Sequence, residues 1–289
     1  MTRERKTKPR SSLTEASKEG VKILRALIDI LREREETEYK ATGVRKWWTV
    51  ESIEEVALNV KANEDKLIGL KMRTADFTTM YTKLPHQKII DAIVVAWDRA
   101  VEYKRRESKQ HAHEKELGFV IDQEGEYHFQ VIDRDNTNDS PNLITRSTFL
   151  ELMTVLITDN HIWNGGDLKR QVIGIPMGSP VSPHFANLFR YAVEAKFVEE
   201  LLASGKLKEA QACAHTYAYI DDLCTFGGPL PSEQHYGIPM TGDPEPREEE
   251  WDFNVIKYPH ASSNIPWNQG AAVFKGQLIR TTDTKRTSA

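Results

Sequence analysis

Two aspartates stand side by side in HTYAYIDDLCTFGG, residues 215–228, between two runs rich in aromatic and β-branched residues. HTYAYI and LCTF have the composition of strands, so the segment reads as a hairpin with two adjacent carboxylates, Asp221 and Asp222, at its tip. A bare Asp-Asp pair is most often an ordinary turn, because Asp bonds its own backbone there. Tyr217, Ile220 and Phe226 argue for more, since a surface turn has no need of apolar side chains on both sides. Adjacent carboxylates repel one another, and a cation neutralises them. A further carboxylate, Asp76, closes the apolar part of RTADFTTMYTKLP, residues 73–85, with Tyr81 a short way beyond it. Alone, Asp76 would read as a cap or turn residue. A third segment, QVIGIPMGSPVSPHFANLFRYAVE at 171–194, is a Gly/Pro/Ser loop feeding a helix whose apolar face is Phe185, Leu188, Phe189 and Ala192. Ser182 stands at the expected N-cap and Pro183 at the first helical position. Such a loop lets backbone approach a ligand closely, and its N–H groups suit phosphate or sugar; a simple helix-entry turn is the alternative.

Helices and strands must bring these segments together. Residues 13–36 place Val21, Leu24, Leu27, Ile28 and Leu31 at helical spacing, which predicts an amphipathic helix there, with Gly43 breaking the next stretch. Residues 51–60 predict a second short helix, and 66–77 a compact apolar strand ending at Asp76. After Pro85, the residues Ile90, Ile93, Val94, Trp97 and Val101 form one face of a helix running to about Ser108. Residues 119–132 alternate around Gly125 and predict a hairpin, residues 148–158 a helix, and Gly165–Gly166 a turn. Helices mixed with hairpins, with no internal repeat, predict one α+β body.

The chain has 289 residues, a formal charge of -4 and 39% hydrophobic residues. Bulk charge therefore gives no hint of a nucleic-acid partner. The charge is unevenly placed, however. Residues 1–50 carry 13 Lys/Arg against 8 Asp/Glu, whereas residues 241–253 hold six acids and one Arg within an expected exposed loop at about 229–252. Two cysteines give neither a disulfide framework nor a zinc pattern. No apolar run approaches the ~18 residues that span a bilayer, and the N-terminus lacks a signal-peptide core, so the expectation is an intracellular protein, nuclear or cytoplasmic, with no membrane association.

Taken in order, Asp76 with its following aromatic, GIPMGSPVSPHFANLF and YIDD resemble the three palm motifs of the reverse transcriptase family. The PMGSPVSP form is most similar to the Penelope-like retroelement branch, which is related to telomerase reverse transcriptases, and residues 258–280 resemble the segment that follows the third motif there. The resemblance spans residues 44–280 with gaps. It implies an α+β polymerase right-hand palm, an antiparallel sheet backed by helices, with partial and mostly helical fingers. Residues 1–43 would be a basic tail and helix belonging to those fingers, 44–280 the fingers and palm, and 281–289 a polar tail.

The same resemblance implies RNA-directed DNA synthesis: a deoxynucleotide is joined to a primer 3′-hydroxyl by two-metal phosphoryl transfer. Asp76, Asp221 and Asp222 would be the catalytic carboxylates holding two Mg2+ ions, with Mn2+ as a substitute, and the Phe77 backbone carbonyl would be a further metal ligand. Tyr81 would lie under the incoming sugar and reject a 2′-hydroxyl. Met177, Gly178, Ser179, Pro180 and Tyr219 would line the nucleotide and template, with Met177 where many relatives have Gln. The implied partners are an RNA template, a DNA primer and deoxynucleoside triphosphates; the sequence is silent on oligomeric state. Arg45, Lys46, Lys71 and Arg73 are candidate phosphate contacts, although lone basic residues read first as solvated surface. The chain departs from the family in offering no full fingers, thumb or nuclease segment. A non-catalytic, nucleic-acid-binding remnant is therefore the alternative, and RNA-directed RNA synthesis a third reading that Tyr81 disfavours.

Overall fold

Gly43, with φ +72°, ends the first helix where a left-handed residue is needed, its N–H donating to the Tyr39 carbonyl. The computed structural model describes residues 12–107, 115–133, 143–164 and 166–242; the acidic residues 243–252, the segment 258–280 and the tail 281–289 lie outside them. Helix α1 (Ser12–Thr42) buries Leu24, Leu27, Ile28 and Leu31, as their spacing predicts, and Ile23 with them, whereas Val21 is only half-buried. It runs one turn and more past Glu36, because Glu36–Lys40 and Arg34–Glu38 ion pairs at i, i+4 favour continued helix. Helix α2 (Ile53–Ala62) is capped by Ser52, whose hydroxyl accepts from the Glu55 N–H.

The expected strand at 66–77 is divided. Glu64–Leu67 forms a one-turn helix, α3, with Glu64 and Asp65 in the first turn where the helix dipole favours acids. Gly69 then turns the chain at φ +79°, and only Met72–Asp76 is strand, β1. Helix α4 (Met80–Lys83) carries Tyr81. Helix α5 (His86–Glu107) starts after Pro85 as expected, but its buried face is Ile89, Ala92, Ile93, Ala96, Trp97 and Ala100. Alanines rather than Val94 and Val101 make the close approach, which rotates the face by one residue.

Strands β2 (Lys115–Ile121) and β3 (Tyr127–Asp133) form the expected hairpin, with β4 (Leu143–Ile144) on the other edge of β2. Helix α6 (Arg146–Thr158) is capped by Thr145. Strands β5 (His161–Asn164) and β6 (Asp167–Arg170) make a hairpin where a turn alone was expected. Helix α7 (Ser182–Ala203) and the short α8 (Leu207–Ala212) precede strands β7 (Thr216–Tyr219) and β8 (Asp222–Phe226), then α9 (Glu233–Tyr236) and β9 (Thr241–Gly242). No helix among the described residues is long and apolar enough to cross a membrane.

Two compact units share the chain: residues 1–31 with 85–188, and residues 32–84 with 189–289. In the first, Trp97 stacks on Phe149 at 4.9 Å and meets Phe119 and Phe129 edge-on, a buried aromatic cluster under the β3-β2-β4 sheet. In the second, an antiparallel sheet of order β7-β8-β1-β9 packs Tyr217, Cys224 and Phe226 against Val50, Val56 and Leu67. The outer edge of β7 is covered: Val50 donates to the Ala218 carbonyl and Ala218 to that of Trp48. That protects its unpaired backbone groups.

Candidate active site

Antiparallel register sets Asp76 of β1 directly opposite Asp222 of β8, and opposed residues project from the same face of a sheet. The β7–β8 hairpin pairs Tyr219 with Asp222, leaving a two-residue turn, Ile220–Asp221. Of the two expected tip carboxylates, therefore, only Asp221 sits in the turn; Asp222 opens β8 and is buried. The Phe77 N–H donates to the Asp221 carbonyl at 3.1 Å, which carries the β1 ladder past Asp76 and ties the tip to it. As a result, carboxylate oxygens of Asp76, Asp221 and Asp222 all lie within 4.8 Å of one another.

The tip is held under strain. Ile220 has φ +53° and is the one non-glycine residue with positive φ among the described residues. A positive φ at the first of two hairpin residues is the type II′ pattern, which favours glycine. A β-branched residue there costs on the order of 1–3 kcal/mol and persists only where the surroundings impose it. Here the ladders on both sides of the tip do so.

The cluster's electrostatics are those of too many acids in too little water. Burial pushes the Asp222 carboxyl up to about 7, with the charges of Asp221 and Asp76 adding to the effect and the Arg190 guanidinium opposing it. Asp76 is raised by burial and then by Asp221, against a hydrogen bond from the Phe77 N–H. The buried Oδ1 of Asp222 has no hydrogen-bond partner among the described residues. An orphaned buried acceptor is destabilising by roughly 1–3 kcal/mol. Three hard carboxylate donors, one with an unsatisfied oxygen, are a fitting set for a divalent cation such as Mg2+.

Tyr81 is half-buried beside the cluster: burial and the charge of Asp221 raise its hydroxyl above the usual phenol range, with Arg190 acting the other way. Phe77 turns its ring into the core, edge-on to Tyr236 at 4.6 Å. Tyr219 is half-buried opposite Asp222. The structure thus brings Asp76, Phe77, Tyr81, Tyr219, Asp221 and Asp222 together within one unit.

Met177, Gly178, Ser179 and Pro180 belong to the other unit. There the Ser179 N–H donates to the Pro176 carbonyl and Gly178 has φ +86°, the hydrogen bond and the glycine that a type II turn requires. Met177, at the turn's first central position, is 72% exposed. Among the described residues, no atom lies within 4 Å of where a Gly178 Cβ would stand, apart from its chain neighbours. His86, at the start of α5, bonds the Gly174 carbonyl at 3.0 Å and steadies the loop's entry. Ser182 is not the expected cap. Its hydroxyl donates back to the Pro176 carbonyl, and Val181 accepts the Phe185 N–H at the helix start.

Several solved structures are similar to this chain. Telomerase from Candida tropicalis, truncated from the C-terminal domain, shares 13% identity over 76% of this chain and 40% of its own, with a TM-score of 0.47. Telomerase from Candida albicans in complex with a fragment of telomeric RNA shares 15% identity over 78% of this chain and 31% of its own, with a TM-score of 0.43. A further Candida tropicalis telomerase, bound to the corresponding RNA fragment, shares 16% identity over 76% and 33%, with a TM-score of 0.47. This chain spans well under half the length of each. No protein-family model and no curated protein matches it.

Two of the four basic candidates are committed elsewhere. Arg45 donates to the Trp47 carbonyl and lies over the Tyr217 ring, and Lys46 is buried between Glu38 and Glu199. Lys71 and Arg73 are exposed. Sequence reasoning missed Arg190 and Glu194, which belong to α7 and are both 0% exposed. The available signal was their i, i+4 spacing on the stripe that also holds Val198 and Leu201, all buried.

Proposed function

We propose that this chain carries the nucleotidyl-transfer centre of an RNA-templated DNA polymerase of the reverse transcriptase family. The observation that supports it is the meeting of Asp76 and Asp222, on adjacent antiparallel strands, with Asp221 of the hairpin turn, in a chain that also holds GIPMGSP in the family's order. Asp76, Asp221 and Asp222, with the Phe77 carbonyl, would hold Mg2+, or Mn2+ in its place. Bound there, divalent cations supply Lewis acidity to the oxygens of a transferring phosphoryl group and to the attacking 3′-hydroxyl.

The protein's own contribution is positioning. The β1–β8 register and the strained tip fix the three carboxylates before any ligand arrives, so little reorganisation accompanies binding. Tyr81, beside Asp221, would exclude a 2′-hydroxyl and favour deoxynucleoside triphosphates. Met177, Gly178, Ser179 and Pro180 would meet the nascent pair and the RNA template through backbone and shape, and Tyr219 the nucleotide. PMGSPVSP favours a Penelope-like retroelement origin.

Extension of an oligo(dT) primer on poly(rA) with Mg2+ tests the reading. The expected result is extension that Asp221→Asn abolishes. Salt-sensitive binding of the template–primer without extension would replace it with the non-catalytic remnant, and ribonucleotides incorporated in excess would point to RNA synthesis.

A further inference from the structure

Helix α5 reaches the GIPMGSP loop with its first residue. The His86 ring meets the Gly174 carbonyl at 3.0 Å, and because a carbonyl only accepts, the ring carries its proton on Nε2. Gly174 is buried and has φ +87°, a conformation that glycine takes without strain. Two further side chains take loop carbonyls in the same way. The Gln171 amide donates to the Ile173 carbonyl at 2.9 Å, and the Ser182 hydroxyl donates to that of Pro176. Gly174, Ile175 and Pro176 are buried, whereas Met177 and Gly178 are exposed and their N–H groups make no hydrogen bond among the described residues. The loop thus turns three carbonyls onto side chains of the protein and its tip outward. Gln171 and Ser182 flank the loop in sequence; of the three donors, His86 alone comes from a distant element, 88 residues before Gly174. That element is firmly held, since α5 buries Ile89, Ala92, Ile93 and Trp97, and Trp97 stacks on Phe149.

We propose that His86 is a positioning residue for the template–primer: by holding the Gly174 carbonyl against α5, it sets the loop's entry and, through the buried Ile175 and Pro176, its exposed tip before nucleic acid arrives. The proposal rests on the reading of this loop as a surface that meets the nascent pair and the RNA template. A loop already in its bound form binds at lower cost than one that must first be ordered. Losing the bond should therefore weaken binding. The chemical step belongs to the aspartates and should be unaltered once template–primer saturates. What matters is the Nε2–H donor and not the ring, so an amide of the same reach should replace it.

The test is binding of fluorescein-labelled poly(rA)/oligo(dT) to the whole chain by anisotropy, with primer extension at saturating template–primer. Hydrogen exchange of residues 171–181 gives a readout independent of nucleic acid. Three variants are compared with the parent: His86→Leu removes the donor, His86→Gln carries an amide nitrogen of similar reach to Nε2, and His86→Asn carries one that falls short. Expected is a dissociation constant raised about fivefold in His86→Leu and His86→Asn, as for one hydrogen bond of ordinary net strength. Their kcat should stay within about twofold of the parent, their loop amides should exchange faster, and His86→Gln should match the parent throughout. An affinity of His86→Leu indistinguishable from the parent, or unchanged loop exchange, overturns the proposal. So does a His86→Gln as weak as His86→Leu, which would make the ring a packing group, or a kcat that falls in step with binding, which would be general loosening. Should His86→Leu fail to fold, His86→Gln against His86→Asn decides, and equal affinities sink the idea. A parent that extends primers while His86→Leu binds normally removes this inference alone. A parent that binds template–primer without extending it removes the polymerase reading alone, and the same affinities still judge His86. A parent that binds no template–primer overturns both.

Discussion

Asp76 and Asp222 face each other across the β1–β8 ladder, although the five helices α4 to α8 separate them in the sequence. Like charges directly opposed on an antiparallel pair are destabilising, and this pair has Asp221 beside it. The protein carries this arrangement at a cost, which a cation bound among the three carboxylates would relieve.

It follows that removing one of these charges should stabilise the metal-free protein. Asp222→Asn is expected to raise unfolding free energy by about 1–3 kcal/mol at pH 8 in chelator, since it replaces a buried, under-satisfied carboxylate by a neutral group of the same shape. It should also abolish the stabilisation that Mn2+ adds to the unsubstituted protein. Urea denaturation with and without the metal checks both halves. A destabilised Asp222→Asn would mean that the carboxylate is satisfied by contacts within the protein.

Glu194 gives a pH dependence of definite sign. Burial raises its carboxyl from 4.5 to about 6, with Arg190 and the Tyr236 hydrogen bond opposing. A folded-state value above the unfolded one means that the folded protein holds the proton more tightly. Its stabilising contribution is therefore complete below pH 4.5 and is lost as pH rises through 6, by about 2 kcal/mol for a shift of that size. Asp222, raised to about 7, acts in the same direction. Glu194→Gln should flatten the profile between pH 4.5 and 6.5 by that amount relative to the parent, and denaturant midpoints across this range measure it. Parallel profiles for the two proteins would contradict the shift.

Gly178 separates strain from function. An alanine at φ +86° in a type II turn should destabilise by about 1 kcal/mol, and no more, because its Cβ meets nothing within 4 Å beyond its neighbours. If that open space admits a nucleic-acid backbone, the same methyl group should lower primer extension at least about tenfold. Denaturation and extension rates of Gly178→Ala, taken together, distinguish a turn residue from a ligand-facing one; extension that falls only as far as the folded fraction does would favour the turn alone.

The three aspartates stood out in the sequence because GIPMGSPVSP lies between them in the order of the reverse transcriptase motifs; taken singly, each would have read as a turn or cap residue, and only the β1–β8 register shows that they meet. Helices α1 and α5 were legible from their apolar spacing, with α5 displaced by one residue because its closest packing is made by alanines, which carry a weak hydrophobic signal. The β5–β6 hairpin was not legible. All four residues of β6 are exposed, so no burial imposes the alternation by which a strand is recognised. Arg190 and Glu194 escaped notice for the converse reason, since charged residues on a helix are normally assigned to water and only their tertiary partners, Thr49 and Tyr236, show where they point.

Tyr81 carries the remaining prediction, that of sugar selection. It lies on the one-turn helix α4 shortly after the β1 carboxylate, half-buried and within reach of the Asp221 charge. On the polymerase reading, a ring there would discriminate by exclusion, and truncating it would remove the obstacle without adding a contact. Tyr81→Ala should therefore leave incorporation of deoxynucleotides within about tenfold of the parent while raising that of ribonucleotides, narrowing the preference by at least about tenfold, whereas Tyr81→Phe, which keeps the ring, should retain it. Single-nucleotide incorporation with dTTP and UTP on the same template–primer measures the ratio. An unchanged ratio in Tyr81→Ala would make the ring a packing residue and leave sugar selection to another part of the chain.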